Sequence, residues 1–445
     1  MIGRILKSVT LFIGILGLCF FTSTAYASDD LKDQLQELQR KLDQLERKVK
    51  QQDQKLQDQQ LKVEEQQKVS EQMKEIKDAL TGISINAGIT MVGQGTFGDD
   101  NGPDYSAFGG PNFDYENGTD ASFSIDLEIS KEFDHNGMAY ILLEGGNGDG
   151  IDDRLNTWSG FNDDADDDDN VHVTEAWYEQ SLLDSFLVFT FGKLDLTNYF
   201  DTNEVANDET TQFLSTGFVN NLAIEFPENG FAARATVSPT DLVDISVGWA
   251  NVDKDSGDES WDDVGRGSFV IGEIGLKPEI GGLQGNYRFF GWYSDYDHIE
   301  WHKNPFLDDS STDEGYGYGI SFDQQVVKDI ITLFVRAGWQ NDDVYEFDAH
   351  YSGGLQVAGS LWNREDDAFG LAYGLATISD DYKHWHKKYG DKRFDDDENH
   401  IELYYSLAFN EHVAVTADYQ WVNNPMGYSD ADDMSVFGLR TQICF

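Results

Sequence analysis

From residue 81 onward the chain alternates apolar and polar residues in one segment after another, and this period of two constrains the fold more than any other feature. Phe123, Ile125, Leu127 and Ile129 interleave with Ser124, Asp126, Glu128 and Ser130. Ile401, Leu403, Tyr405 and Leu407 interleave with Glu402, Tyr404 and Ser406. Val413, Val415, Ala417, Tyr419 and Trp421 do the same with Ala414, Thr416, Asp418 and Gln420. Segments of about 9–11 residues with one greasy side are what a strand of a membrane barrel requires. A soluble barrel would carry the same alternation with its apolar side inward, so the period alone leaves the choice open.

Connection lengths resolve it. Short turns fall near 134–137, 183–185, 239–242, 278–284, 326–330, 361–366 and 408–412. Longer polar connections fall near 97–119, 147–170, 196–229, 252–267, 294–314, 341–349, 379–397 and 423–433. Short and long alternate strictly, and together they join sixteen strands with both ends on the short-turn side. That is the outer-membrane layout, and a soluble sandwich has no reason to sort its loops this way. No stretch after residue 27 approaches the 18 apolar residues of a membrane helix. The expected fold is therefore all-β, a 16-stranded antiparallel transmembrane β-barrel over residues 81–445. Inside lipid every backbone N–H and C=O needs a partner, so the sheet must close. Sixteen strands leave an aqueous lumen, where eight would be plugged by side chains.

Two segments precede the barrel. Residues 1–27 read as a signal peptide: Arg4 and Lys7, the apolar run Leu11–Phe21, then Ala25-Tyr26-Ala27 before a cut. A lipoprotein reading through Cys19 is disfavoured by Leu18 directly before it. Cleavage leaves Cys444 as the one cysteine, so no internal disulfide is expected. Residues 28–80 contain no Gly or Pro and read as a periplasmic helix. Leu35, Leu42, Val49, Leu56 and Val63 take position a of a heptad, and Leu31, Leu38 and Leu45 take position d before Gln52, Gln59 and Gln66. An apolar seam resumes at Val69, Met73, Ile76 and Leu80. One such helix, about 75 Å long, cannot bury its own stripe. An N-terminal α-helical coiled coil in a homotrimer is the expectation, with a dimer or a partly frayed spacer as alternatives.

The formal net charge is −51, and residues 81–445 carry it, with 18 basic and 69 acidic residues. Nucleic acid is excluded as a partner, and cations are attracted. The last strand, Met434–Phe445, places Phe437, Leu439, Thr441, Ile443 and Phe445 on one face. A terminal aromatic in this register resembles the signal read by the barrel-assembly machinery, which makes that machinery an expected partner through Phe445.

The connection after the fifth strand is the most informative stretch. It reads Gly192-Lys193-Leu194-Asp195, Tyr199-Phe200-Asp201-Thr202-Asn203, Ala206-Asn207-Asp208, Gln212-Phe213 and Phe218-Val219-Asn220-Asn221. The chain here resembles the carbohydrate-selective outer-membrane porin family, and more loosely does so over residues 83–445, through Gly145–Asp153 and Gly285–Trp292. The resemblance implies a sixteen-stranded barrel that passes sugars and other small hydrophilic solutes by diffusion. The leading coiled coil departs from the simplest members. It resembles the periplasmic helical extension of some porin relatives, and residues 28–80 leave no room for a peptidoglycan-binding domain.

The residues themselves support a narrowed pore. A connection of about 34 residues without strand pattern needs a role, and folding into the lumen would supply one. Asn203, Asn207, Asp208 and Gln212, with Lys193, Asp195 and Asp201 beside them, would then meet water and sugar hydroxyls. The alternative is that they bond the loop to the wall. By alternation Arg234, Arg288, Arg336 and Arg440 face the lumen, as do Glu128, Glu175, Glu273, Glu402 and Asp418. Opposed charges set a transverse field, and Phe290, Trp292 and Phe334 on the same side could stack on a sugar ring. A wall-stiffening lattice of ion pairs is the competing role.

Asn147, Asp149, Asp152 and Asp153 have the flavour of a calcium loop, with hard oxygen ligands around glycines. They and the acidic run Asp163–Asp169 would bridge through divalent cations to lipopolysaccharide, against the simpler reading of a solvated acidic surface. No other cofactor is expected. Catalytic signatures such as G-x-S-x-G, H-E-x-x-H and the P-loop are absent. His172, His384, His386 and His412 have no evident serine partner, and His384 and His386 lack a third zinc ligand. The sequence thus points to a porin for carbohydrates. A cation-preferring general porin, or an envelope tether acting through the coiled coil, are the alternatives.

Overall fold

The computed structural model describes residues 29–98, 100–106, 110–165, 170–258, 260–301 and 312–445. The expected signal peptide, Asp166–Asp169 of the acidic run and residues 302–311 lie outside the described residues. The chain divides into two compact units, residues 1–81 and 82–445. In the first, Asp29–Leu80 forms one helix (α1). The long unbranched Leu, Lys, Glu and Gln side chains of this run lose little rotamer freedom in a helix, and nothing in it breaks one.

The second unit is a closed antiparallel barrel of sixteen strands. They are β1 (Ile83–Thr96), β2 (Thr119–Phe133), β3 (Gly137–Asn147), β4 (His172–Leu182), β5 (Leu187–Leu194), β6 (Gly230–Thr240), β7 (Val243–Val252) and β8 (Gly267–Leu276). The second half comprises β9 (Leu283–Ile299), β10 (Thr312–Val327), β11 (Ile331–Gln340), β12 (Phe347–Ala358), β13 (Ala368–Ile378), β14 (Glu398–Asn410), β15 (Val413–Asn423) and β16 (Met434–Cys444). Each strand pairs with its sequence neighbours, and β16 returns to β1 in the register Gly88↔Cys444 to Thr96↔Val436. The Phe445 N–H donates to the Ala87 carbonyl at 2.9 Å, so the last residue completes the seam.

The alternation points outward, as a lipid-facing wall demands. Phe189 and Phe191 are 42% and 45% exposed, while Thr190 between them is fully buried inside. Ile245 and Val247 on β7, Leu333 and Val335 on β11, and Phe437 and Leu439 on β16 repeat the pattern. Near the long-connection ends, Tyr318 stacks on Trp339 at 5.6 Å and Tyr351 meets Trp339 edge-on at 5.7 Å. Amphipathic rings at that level form the interfacial girdle of such barrels. The short turns use left-handed residues where strands reverse, as at His135 and Asn136 (φ 69° and 60°), which suits the right-handed twist of the flanking strands.

Clusters of buried apolar side chains lie between the wall and two inward-folded connections, 148–165 and 195–229. An aromatic roof of Phe113, Tyr382, Phe394 and Tyr428 joins the long connections near the mouth. It includes a short helix, α2 (Asp380–Tyr389), capped by the Ser379 hydroxyl accepting from the Tyr382 N–H.

Candidate functional site

The connection Asp195–Asn229 folds into the barrel because it carries its own apolar side chains. Leu196, Phe200 and Ile224 pack on Ala232, Ala250, Val252, Phe269, Ile271, Phe290 and Trp292 of β6–β9. Val205, Ala206, Phe213 and Phe218 pack on Phe334, Ala372 and Tyr404 of β11, β13 and β14. Phe290, Trp292 and Phe334 therefore do not offer their faces to a sugar. Their exposures are 5%, 4% and 1%, and the Trp292 indole N–H donates to the Ala223 carbonyl at 2.8 Å. Alternation placed them inside correctly, but it could not show that the loop covers them.

Charged wall residues fix the loop by its backbone. Arg336, fully buried, pairs with Asp201 at 3.0 Å and donates to the carbonyls of Phe218 (2.6 Å) and Asp201 (2.9 Å). Glu273 accepts from the Asp201 N–H at 2.8 Å. Glu402 accepts from the N–H groups of Leu214 (2.6 Å) and Ser215 (3.1 Å). Arg440 donates to the carbonyls of Glu209 and, at 2.8 Å, Gln212. Asn203 donates to Ser321 and to the Phe322 carbonyl, each at 3.3 Å. Asp201, Asn203 and Arg336 are thus wall anchors and not solute contacts. Asp418 is buried beside Gln420, which donates to it at 3.1 Å, and it borders neither large cavity.

Lys193 falls on the other side of the wall. It pairs in register with Ala176 and Phe231, whereas its neighbour Leu194 and Phe231's neighbour Ala232 are the ones buried inside. A positive φ of 145° at Gly192 marks the irregular stretch just before it.

Residues 148–165 of the connection expected as an external acidic loop also enter the lumen. Leu155 and Phe161 are buried with Tyr115, Val422 and Val436. Glu398 gathers four donors there: the N–H groups of Trp158 (2.9 Å), Ser159 (2.9 Å) and Met426 (2.8 Å), and the Ser159 hydroxyl (2.6 Å). Gln94 and Gln420 both donate to the Phe161 carbonyl, at 2.9 and 2.8 Å. The apolar run Leu155, Trp158, Phe161 inside an acidic connection was the signal available in the sequence. The calcium arrangement is not assembled. Asp152 accepts from the N–H groups of Phe161 and Asn162, both at 2.8 Å, and among the described residues no three acidic, His or Cys side chains converge as ligands.

Between the two loops and β1–β4 lies a cavity of about 830 Å³. Among the described residues its walls hold ten carboxyl side chains and no Lys or Arg. Asp126, Glu128, Glu144 and Glu175 come from the strands, and Asp163, Asp164, Asp195, Asp208, Glu209 and Glu228 from the loops. Asn198, Asn207, Thr197 and Tyr140 add neutral hydrogen-bonding groups. Of the residues singled out in the sequence, Glu128, Glu175, Asp195, Asn207 and Asp208 meet here, while Gln212 instead braces the loop through the Asn207 N–H (2.8 Å) and the Glu204 carbonyl (3.0 Å). Burial pushes the carboxyls of Asp163 and Asp195 up, Glu209 well up, and Asp164 to about 7.

Three basic residues border a separate space. A second cavity of about 270 Å³ is bordered by Arg234, Lys277 and Arg288 of β6, the turn after β8, and β9. Arg234 lies 3.9 Å over the Tyr199 ring and pairs with Glu179 at 2.7 Å. Arg288 pairs with Asp323 at 3.2 Å and Lys277 with Asp244 at 2.5 Å. Asn198 of the inward loop borders both cavities.

Comparison with known proteins agrees with this geometry. Residues 111–445 match the family described as "Carbohydrate-selective porin, OprB family". An uncharacterized protein of Aquifex aeolicus (strain VF5) is 26% identical over 249 residues, 56% of this chain and 62% of that protein. "Porin AaxA" of Chlamydia abortus is 21% identical over 271 residues, 60% of this chain and 56% of that one. The chain thus spans about six tenths of the length of these curated relatives. The high-pH structure of Pseudomonas putida OprB shares the fold with a TM-score of 0.71 at 17% identity, covering 83% of this chain and 96% of that one.

Proposed function

The chain belongs to the carbohydrate-selective porin, OprB family, and on that premise we propose that it is an outer-membrane diffusion channel for small sugars and other hydrophilic solutes. The barrel has a greasy outside and a polar inside, so water must occupy whatever space the two inward loops leave. The observation that carries the reading is the double infolding. Residues 195–229 and 148–165 are held by buried Arg336, Arg440, Glu398 and Glu402. Rigidly held loops narrow a sixteen-stranded lumen without plugging it.

Along the larger cavity, asparagine, threonine and tyrosine groups with a row of carboxylates would exchange hydrogen bonds with successive hydroxyls of a sugar. Passage needs binding weak enough to release, and exposed single contacts of this kind satisfy that. The carboxylate wall also supports a second reading, preference for cations over anions, because among the described residues no Lys or Arg lines it. Phe445 at the barrel seam would be read by the assembly machinery, lipopolysaccharide would surround the external rim, and the barrel would act as a trimer with α1 in the periplasm.

Planar-bilayer recordings test the proposal. Single channels partly blocked by added glucose are expected, and an absence of channels would remove it. Strong cation preference without any block by sugar would favour the second reading.

A further inference from the structure

The helix α1 has an apolar stripe of its own. Leu35, Leu38, Leu42, Leu45 and Val49 are each between 48% and 66% exposed. A stripe of leucines says that something covers the helix, and the charges flanking it say what. Positions a and d form the seam, so the e and g residues border it. The g series is Gln34, Lys41, Lys48, Lys55 and Lys62. The e series is Gln39, Glu46, Asp53, Gln60 and Gln67.

In a parallel pair, g of one helix faces e of the following heptad on the other. Lys41 then meets Glu46 of a second copy and Lys48 meets Asp53, while Lys55 and Lys62 meet Gln60 and Gln67. No like charges face each other. In an antiparallel pair g faces g and e faces e, which sets lysine against lysine and acid against acid. The pattern therefore admits one orientation and opposes the other, independently of how the apolar residues pack. The Lys41–Glu37 contact within one helix, at 2.7 Å, does not tie Lys41 up, since both side chains are about two-thirds exposed.

We propose that α1 is a self-association element in which copies of this chain pack their helices parallel and in register, with Lys41–Glu46 and Lys48–Asp53 pairs between copies. The apolar layers Leu35–Val49 supply the grip. Gln52, Gln59 and Gln66 at the d positions that follow make polar layers, which weaken the second half and penalise a register shift that would set glutamine against leucine.

Disulfide trapping on the full-length protein in detergent tests this, with Cys444→Ser removing the native thiol. Leu42→Cys and Val63→Cys, made separately, both sit on the seam three heptads apart. In a parallel, in-register assembly each cross-links to its own copy on mild oxidation, while Arg47→Cys on the far side stays reduced. Cross-linking at neither seam position, at only one, or equally at Arg47→Cys would overturn the proposal. A second arm separates orientation from mere proximity of barrels. Lys41→Glu with Lys48→Glu should reduce the Leu42→Cys cross-link at least about tenfold, and adding Glu46→Lys with Asp53→Lys should restore it. A yield unchanged by the first pair, or not rescued by the second, would also overturn it.

Discussion

Arg336 and Asp201 lie 135 residues apart in the chain and meet as a fully enclosed ion pair at 3.0 Å, one on the barrel wall and the other on the loop that crosses the lumen. The guanidinium also takes two loop carbonyls, and Asp201 Oδ2 also accepts the Asn221 N–H at 2.9 Å. Breaking a buried pair from one side leaves an uncompensated charge, at a cost of about 3–5 kcal/mol. Arg336→Ala is expected to release Asp195–Asn229, raise single-channel conductance and make that loop a protease site. Arg336→Met with Asp201→Asn should be milder than Arg336→Ala alone. Unchanged conductance and protease resistance in Arg336→Ala would show that the apolar clusters suffice to hold the loop.

Glu398 does the equivalent work for the other loop. Glu398→Ala strips the acceptor from three backbone N–H groups, those of Trp158, Ser159 and Met426. Each buried donor left bare costs about 1–3 kcal/mol. A lowered thermal unfolding temperature and cleavage within Gly148–Val171 are expected, whereas Glu398→Gln, which keeps an acceptor oxygen, should fall between wild type and Glu398→Ala. Equal melting of all three proteins would contradict this.

The carboxylate wall should be legible in reversal potentials. Under a potassium chloride gradient the wild-type channel is expected to pass potassium over chloride. The triple change Glu128→Gln, Glu144→Gln, Glu228→Gln should move the reversal potential toward zero. Because fields in water are screened over about 10 Å at 0.1 M salt, the preference should shrink as salt rises. A preference that ignores both the substitutions and the salt would place the selective charges elsewhere.

Acidity gives a separate handle. Burial pushes Asp164 to about 7, with Asp126 and Glu144 adding to the rise, and it raises Asp163, Asp195 and Glu209 as well. The sign is that of raised acids: Asp164 takes up its proton as pH falls through about 7, and Asp163, Asp195 and Glu209 take up theirs earlier than ordinary carboxylates do. Cation preference should therefore begin to fall between pH 8 and pH 6. Asp164→Asn should flatten the upper part of that curve. The folded state binds more protons than the unfolded chain in this window, so folding stability should decline as pH rises from about 4 toward 7 through these groups. A selectivity curve that changes only below pH 5 would exclude them from the conducting path.

How far the sequence could be read follows from the range of the interactions involved. Alternation along a strand is local, so Phe189, Thr190 and Phe191 declare their sides without reference to anything distant. Connection lengths are local too, and they sufficed for strand number and closure. The inward fold of Asp195–Asn229 could be anticipated from its length and its lack of strand pattern. That Phe290, Trp292 and Phe334 are spent on anchoring it could not, because their partners Ala223, Phe200, Phe213 and Phe218 are brought up by the loop's own path. Lys193 was misplaced for a related reason: it stands next to lumen residues in the chain, yet pairing with Ala176 and Phe231 turns it outward.

The order of residues by itself determined a sixteen-stranded barrel, the lipid-facing side of its alternating segments, and a helix ahead of it. Periodicity and turn length are properties of neighbours, and a membrane leaves the backbone few ways to satisfy its hydrogen bonds. Which polar groups border the open path, and which vanish into contacts between loop and wall, was decided only by the tertiary structure. Glu398 and Glu128 both sit on the lumen side of their strands. One is capped by three donors from a folded-in loop and a fourth from Met426, and the other lines the cavity, because the loops cover one part of the wall and leave another bare.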